Sequence, residues 1–301
     1  MLEGGGASIN SNLSAIETAR SKLDNQLTSG VYPLRIPLSP DKKIGWKLYS
    51  IFRGFTGGLQ NLSCHASVLI HGHLPHSPHR HKEEEIHLVL SGEIDFILPD
   101  NEAANGNNRK HLKPGQFVYC PSYFAHTIQT TSKDPANYLV FKWYSSDSGK
   151  KDSALKFGHF SMYPPVEDSE VEDGFHPRRV FEGSTDCLQK LQCHTSTLTP
   201  GAGYVPHTDS YDVAIIILEG EVKTLDKRVG PHGVIFYAAG EPHGILNPSD
   251  GIAKYIVFEF HWHKKVKISN FRYLSSSLFV KLTNPSRWKR RMKYFFKRFS
   301  R

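Results

Sequence analysis

The chain has 301 residues and a formal net charge of +8, and the excess positive charge is confined to one end of it. Segment 287–301 holds eight lysines and arginines and no acidic residue, so removing these eight from the total of 37 leaves 29, which equals the 29 acidic residues. Residues 1–286 are therefore formally neutral, which argues against a nucleic-acid-binding role for most of the chain.

The remaining composition is typical of a globular protein with a core, since 39% of the residues are hydrophobic and 12% are aromatic. No apolar run approaches the roughly 18 residues of a membrane-spanning helix, and the N-terminus lacks the basic start and apolar stretch of a signal peptide. The four cysteines form no CxxC pair. We therefore expect reduced thiols in a cytoplasmic protein, although the spacing of Cys187 and Cys193 permits a bridge.

Residues 1–30 are predicted to form an N-terminal helical segment. Ser14 and Glu17 have the spacing of a capping box, apolar residues follow at helical spacing, and Ser29-Gly30 ends the pattern. Residues 31–145 then show short apolar or alternating runs separated by Gly, Pro and Asn clusters, which predicts β-structure. The predicted strands of this part are Leu62–Ile70, Ile86–Leu90, Glu93–Leu98, Gln116–Tyr119 and Tyr138–Trp143.

Residues 146–175 are polar, contain Pro164-Pro165 and end in an acidic cluster, which is typical of a linker. A second β-rich part covers 176–268. Its predicted strands are Leu191–Leu198, Val213–Leu218, Glu221–Leu225, Val234–Tyr237 and Tyr255–His261. The turn at Gly92 recurs at Gly220, an offset of 128, and His79 maps onto His207 at the same offset. This repetition predicts two copies of one β module.

Residues 269–301 form a C-terminal basic tail. Asn284-Pro285 is a favourable helix start, and five large apolar residues then follow one helical stripe opposite the lysines and arginines. They are Trp288, Met292, Phe295, Phe296 and Phe299. This pattern predicts an amphipathic basic helix over 286–301 that binds an anionic membrane surface and makes the protein peripheral there. Packing of the stripe on the body of the protein or on a second subunit of a homodimer is the alternative.

The most informative segment is His79-Arg80-His81-Lys82-Glu83-Glu84-Glu85. In an extended strand, residues at even separations share a face, so His79, His81 and Glu85 are expected to point the same way. Two imidazoles and one carboxylate suit a divalent transition metal such as iron, manganese, nickel or zinc. His126, which follows Gly115 and Pro121 on a separate strand, would complete the set.

These spacings resemble a known family. His79-x-His81-x3-Glu85-x6-Gly92 is similar to the first cupin motif, and Gly115-x5-Pro121-x4-His126 is similar to the second. The resemblance implies an all-β fold of two tandem cupin double-stranded β-barrels of jelly-roll type, at 31–145 and 176–268, between a short N-terminal helix and the C-terminal helix. It also implies a metal site made by three histidines and one glutamate in the first barrel, namely His79, His81, Glu85 and His126.

The first barrel departs from the family pattern at positions that are not metal ligands. Tyr123 stands where the second motif has a glycine, His73 where the first has one, and Thr130 where the second ends in asparagine. Two residues near the ligands are candidates for proton transfer: Tyr123, and His87, which shares the face of Glu85. His65, His71, His73 and His76 have no ligand-like spacing and are expected to be structural or surface residues.

The second copy keeps only part of the ligand set. The same alignment gives His207-x-Asp209-x3-Val213 and, after Gly240, His243. In one interpretation this barrel is degenerate and binds no metal. In the other, His207, Asp209 and His243 form a two-histidine, one-carboxylate metal site, for which Lys254 is a candidate co-substrate anchor.

The sequence favours the first of three functional classes, and the other two are alternatives. The first is a metal-dependent oxygenase or related oxidoreductase that binds a small polar, chelating substrate at two open positions of one divalent metal, with iron as the first candidate. The second is a redox-neutral lyase, isomerase or hydrolase that uses the metal as a Lewis acid on a sugar or carboxylate. The third is a non-enzymatic module that binds a metal or ligand.

Overall fold

The computed structural model describes residues 25–99, 108–145, 153–162 and 173–262. This part of the chain contains no helix, so the predicted all-β class is confirmed. It follows that no described helix could cross a membrane. The predicted N-terminal helix lies almost wholly, and the predicted tail helix entirely, outside the described residues.

The strands of the first half lie between residues 30 and 161. They are β1 (Gly30–Tyr32), β2 (Trp46–Gly54), β3 (Asn61–Leu69), β4 (Glu84–Ser91), β5 (Ile94–Ile97), β6 (Arg109–Leu112), β7 (Gln116–Cys120), β8 (Thr127–Thr130), β9 (Ala136–Tyr144) and β10 (Gly158–Ser161). A six-stranded back sheet has the order β10-β7-β4-β9-β3-β2, and a three-stranded front sheet has the order β6-β5-β8. Side chains from both sheets, including Phe96, Val118 and Tyr138, form one core between them. This sandwich is the first barrel.

The second half repeats the arrangement. Its strands are β11 (Phe175–Gly183), β12 (Lys190–Leu198), β13 (Gly203–His207), β14 (Asp212–Glu219), β15 (Val222–Thr224), β16 (Lys227–Val229), β17 (Val234–Tyr237), β18 (His243–Leu246) and β19 (Ala253–His261). The back sheet is β1-β17-β14-β19-β12-β11 and the front sheet is β13-β18-β15-β16. Ile215, Val222 and Ile245 belong to the core between these two sheets. This sandwich is the second barrel.

Each barrel receives one strand from the chain segment that precedes the other barrel. Strand β1 comes before the first barrel but pairs with β17 of the second, and β10 comes before the second barrel but pairs with β7 of the first. Strand β10 lies inside the segment predicted as a linker. Its short sequence gives little hydrophobic pattern, so only its antiparallel pairing with β7 identifies it as a strand.

The two back sheets pack against each other through a shared apolar core. Aromatic side chains of the first barrel meet those of the second, with ring centroids 5.6 Å apart for Phe117 and Phe258 and 5.2 Å apart for Trp143 and Phe260. Apolar residues such as Cys64 and Ala66 alternate along β3 and face this shared core. The other face of β3, with Ser63, His65 and Ser67, is therefore turned to the interior of the first barrel.

The structure also shows the internal repeat at the level of single residues. Gly92 and Gly220 have φ angles of 70° and 69°, a left-handed conformation that favours glycine. A side chain at Gly220 would lie 2.4 Å from the carbonyl oxygen of Ile252, so this turn has no room for one.

Sequence patterns identified most of the inner strands but missed the short inner strand β18 and several edge strands. The ten predicted strands correspond to β3, β4, β5, β7 and β9 and to β12, β14, β15, β17 and β19. Strands β2 and β11 lie at sheet edges and each has only one fully buried residue, so their hydrophobic pattern is weak. All four cysteines are buried as free thiols, and the bridge between Cys187 and Cys193 that the spacing permits is not formed.

Candidate metal centre

The candidate site lies inside the first barrel, at the beginning of β4. Glu85 is almost fully buried and is surrounded by three imidazoles. Its Oε2 atom lies 3.1 Å from Nε2 of His81, 2.9 Å from Nε2 of His126 and 3.1 Å from Nε2 of His87. The donor atoms of His81, Glu85 and His126 all lie within 4.8 Å of one another, which is the arrangement of a metal-binding group.

Backbone carbonyls hold the Nδ1 atoms of His81 and His126, which leaves the Nε2 atoms of both rings facing Glu85. Nδ1 of His81 lies 3.0 Å from the carbonyl oxygen of Glu83, and Nδ1 of His126 lies 2.9 Å from that of Phe124. A carbonyl only accepts a hydrogen bond, so each Nδ1 carries a proton, and a ring without a second proton presents a lone pair at Nε2. Ring nitrogens held in this way by a backbone carbonyl are typical of metal-ligating histidines.

These contacts fit a cation between the groups. At 2.9–3.1 Å from the carboxylate oxygen, each Nε2 atom is held there either by its own proton or by a cation that both groups bind. Ligands bound at about 2.1 Å and at right angles are about 3.0 Å apart. The buried Nε2 of His81 also has no hydrogen-bond partner among the described residues. The residues present therefore suit a divalent transition metal.

The electrostatics of Glu85 agree with this role. Burial alone would raise the pKa of Glu85, but His87, His126 and His81 hold it well below its usual range. The group is therefore an ionised carboxylate at neutral pH, as a metal ligand requires.

His79 stands slightly apart from the other three predicted ligands. Its ring centroid lies 5.3 Å from that of His81 and 5.4 Å from that of His126, and its side chain is exposed. The backbones of His79 and His126 form a β-bridge with two hydrogen bonds of 3.2 Å. Strand β4 begins only at Glu84, so the alternation of a strand, from which a common face was expected, does not extend to His79 and His81. His79 is brought to the site by its β-bridge with His126, and His81 by the chain segment that precedes β4.

His87 contacts the site through Glu85. It is buried, and burial lowers its pKa, so the ring is neutral at pH 7. Its Nε2 lies 3.1 Å from Glu85, and its Nδ1 is buried without a hydrogen-bond partner in the described structure. The ring is held against Phe96 at a centroid distance of 5.4 Å. His87 therefore both positions the carboxylate and places an unprotonated nitrogen in the barrel interior.

Tyr123 is at the surface rather than among the ligands. Its side chain is 63% exposed and its φ angle is 59°, in the left-handed region. Its backbone supports the site, because Tyr123 N–H donates to the carbonyl oxygen of His81 at 2.7 Å and Arg80 donates to the carbonyl oxygen of Tyr123 at 2.9 Å. These backbone bonds hold the loop that carries His81, and the phenol makes no contact with Glu85 or the three imidazoles among the described residues.

Two further residues of the site were not identified from the sequence. Nζ of Lys142, on β9, lies 2.6 Å from Oε1 of Glu85, so the lysine holds one carboxylate oxygen while the other faces the histidines. His65, on β3, has its pKa lowered to about 4 by burial and by its neighbours His87 and Lys142. The polar alternation Ser63, His65, Ser67 is the signal that could have placed His65 inside the barrel.

The second barrel brings together the three residues that its partial motif contains. Nε2 of His207 lies 3.5 Å from Oδ2 of Asp209, and Nε2 of His243 lies 3.3 Å from the same oxygen. Their donor atoms all lie within 4.8 Å of one another, as in the first barrel, so they could hold a metal ion. His207 is exposed and His243 is buried. Burial alone would raise the pKa of Asp209, but the two histidines hold it well below its ordinary value.

The two sites differ at the positions of Glu85 and Lys142. Val213 takes the place of Glu85 on β14, and Glu259, which pairs with Val213 on the neighbouring strand, takes the place of Lys142. Lys254 does not belong to this site. It bonds Glu219 at 3.1 Å, at the opposite end of β14 from Asp212 and Val213, so the proposed co-substrate anchor is wrong.

Comparisons with known proteins agree with the motifs. Residues 67–142 match the family model described as a cupin domain. This segment of the first barrel is therefore a cupin domain. A glucose-6-phosphate isomerase of Thermococcus kodakarensis is 31% identical over 109 residues, which cover 36% of this chain and 53% of that protein. The chain thus spans about half the length of this relative.

Solved cupin structures show the same fold over both barrels. A cupin 2 conserved barrel domain protein from Leptotrichia buccalis superposes with a TM-score of 0.51 at 14% identity, over 75% of this chain and 92% of that one. A variant of Bacillus subtilis oxalate decarboxylase gives a TM-score of 0.51 at 13% identity, over 79% of this chain and 78% of that one. At these identities the likeness establishes the fold alone.

Proposed function

We propose that the chain is a metal-dependent enzyme that acts on a small polar molecule in the first barrel. His81, Glu85 and His126 would hold one divalent transition metal. His79, whose exposed ring can turn about its side-chain bonds, would supply the fourth ligand. A metal held there supplies a Lewis acid that polarises a substrate oxygen. The convergence of the two imidazole nitrogens on one buried carboxylate oxygen carries this proposal.

The reaction class that the geometry supports best is a redox-neutral lyase or isomerase reaction on a sugar or carboxylate. Such reactions require a proton to be taken from one substrate atom and returned to another. His87 offers a buried, neutral nitrogen beside the ligand Glu85, and Lys142 offers a cation on its other side. The similarity of 109 residues of the chain to a glucose-6-phosphate isomerase supports the same class.

An oxygenase or oxidoreductase with iron is the second candidate. It is supported by the mixed histidine and carboxylate ligands and by the apolar wall beside them, where Phe96 stacks on His126 at 5.2 Å. Oxygen chemistry benefits from such a water-poor environment, since it protects reactive species.

The two classes differ in oxygen consumption. The full chain, reloaded with iron or with manganese, would be incubated with glucose 6-phosphate and with oxalate while product and dissolved oxygen are followed together. We expect product without oxygen uptake, and loss of product in His126→Ala. Stoichiometric oxygen uptake would favour an oxygenase over a redox-neutral lyase or isomerase. Equal product from wild type and His126→Ala would contradict a metal-dependent reaction at this site.

The basic tail is proposed to place the enzyme at an anionic membrane surface. Residues 286–301 combine eight positive charges with an aromatic stripe, and they lie outside the described residues. Deletion of 286–301 is expected to abolish co-sedimentation with phosphatidylserine vesicles and to leave metal content unchanged, because each basic residue contributes about 1 kcal/mol near such a surface. Vesicle binding that survives the deletion would assign the tail to protein contacts instead.

A further inference from the structure

We propose that the second barrel holds a divalent transition metal of its own, through His207, Asp209 and His243. Two imidazoles and one carboxylate form a ligand set that iron, manganese and zinc all accept. In the first barrel the carboxylate is Glu85 on β4, whereas here it is Asp209 in the loop after β13, but the set keeps one carboxylate and two imidazoles. This site does not depend on the function proposed for the first barrel.

Hydrogen bonds at Nδ1 leave the Nε2 atoms of His207 and His243 facing Asp209, where they can bind a cation together with the carboxylate. Nδ1 of His207 lies 3.2 Å from the carbonyl oxygen of Val205, and Nδ1 of His243 lies 3.0 Å from that of Glu241. Each Nδ1 carries a proton in these bonds, so Nε2 is the nitrogen of each ring that faces Asp209 and that can bind an ion once it is unprotonated. The distances of 3.5 and 3.3 Å between these nitrogens and the carboxylate oxygen leave room for an ion bound at about 2.1 Å to each.

The three residues are held in place before any ion binds. His243 stacks on Tyr237 with ring centroids 4.1 Å apart, and the hydroxyl of Tyr237 is 2.6 Å from that of Thr224. His207 and His243 are direct partners across β13 and β18, as His79 and His126 are in the first barrel. Gly240 N–H donates to the backbone carbonyl oxygen of Asp209 at 2.8 Å. A preformed site loses little entropy on binding an ion.

The surroundings of this group are also more negative than those of the first site. Where the first barrel has the cation Lys142 opposite Glu85, the second has the carboxylate Glu259 opposite Val213. Because Val213 cannot bind a metal, the protein supplies three ligands here. More positions of the ion are then open to an anionic or chelating small molecule than in the first barrel.

The number of ions per chain tests the proposal. The full chain would be stripped with a chelator and titrated with Mn²⁺ alone in equilibrium dialysis, with bound metal measured by elemental analysis. We expect two ions for wild type, one for Asp209→Asn, one for Glu85→Gln and none for the double variant. His207→Ala, which removes an exposed side chain and should fold normally, is expected to give one. The matched control Asp226→Asn, in the exposed turn between β15 and β16, is expected to keep two.

The outcomes separate the two barrels. The second site would be overturned if wild type bound one ion and Asp209→Asn still bound it. It would also be overturned if wild type bound two ions and both Asp209→Asn and His207→Ala kept the two. Loss of one ion in Glu85→Gln bears only on the first barrel.

Discussion

Glu85→Gln is expected to remove the metal of the first barrel while leaving the chain folded. The substitution keeps the size of the side chain and an oxygen that Lys142 can bond, but it removes the negative charge on which His81 and His126 converge. Affinity should therefore fall by more than the roughly 10- to 100-fold that residues behind the ligands usually contribute. Mn²⁺ titration and a thermal unfolding scan with and without Mn²⁺ measure this, because bound metal stabilises the folded state.

Two comparisons make this result specific. Glu93→Gln removes a carboxylate from the more exposed turn before β5 and is expected to keep wild-type metal content. Lys142→Met, which deletes the 2.6 Å bond to Glu85 but no ligand, is expected to weaken binding by about 10- to 100-fold without abolishing it. Full metal content in Glu85→Gln would show that the first site is not built on this carboxylate.

Glu84→Gln is expected to remove the contribution that Glu84 makes to the pH dependence of the free energy of unfolding. Glu84 is fully buried between the barrels, where Trp143 and Thr185 donate to its Oε2 at 2.6 and 2.7 Å, and Cys187 N–H donates to its Oε1 at 3.1 Å. Burial raises the pKa of Glu84 from 4.5 to about 7 despite these bonds. The unfolded chain therefore loses this proton at lower pH than the folded chain.

A carboxyl group with a raised pKa in the folded state favours folding below its unfolded pKa, and this contribution is lost as the pH rises towards 7. The displacement of the pKa of Glu84 corresponds to about 3 kcal/mol between pH 4.5 and 7. In chelator-treated protein, the free energy of unfolding at pH 8 minus that at pH 5 should be more positive by about this amount in Glu84→Gln than in wild type. Urea denaturation at the two pH values provides the measurement.

The neighbouring residue supplies the control. Glu83 is next to Glu84 but partly exposed, so Glu83→Gln should retain the wild-type pH dependence. Asp212, whose pKa burial also raises to about 7, keeps part of the effect in both variants. An unchanged pH difference in Glu84→Gln would show that Glu84 is ionised in the folded protein throughout this range.

The sequence was most informative where a feature depends on local spacing. The alternation of apolar residues predicted the central strands, and the spacing of His81, Glu85 and His126 placed these residues in one site. The sequence was less informative about the positions of side chains where the backbone departs from a regular strand. Strand alternation suggested that His79 is equivalent to His81, whereas the structure holds it by a β-bridge outside β4. Tyr123 was a candidate because of its position in the motif, yet its ring is exposed.

The sequence by itself determined the all-β class, the repetition of one barrel, and the chemical types of the metal-binding residues, because each of these is encoded in short spacings. The tertiary structure decided which distant residues complete the sites. Lys142 meets Glu85 because β9 pairs with β4, and the three residues of the second barrel converge because β13 pairs with β18. The exchange of β1 and β10 between the barrels was decided in the same way. Strand register and sheet order depend on contacts between segments far apart in the chain, which no local pattern specifies.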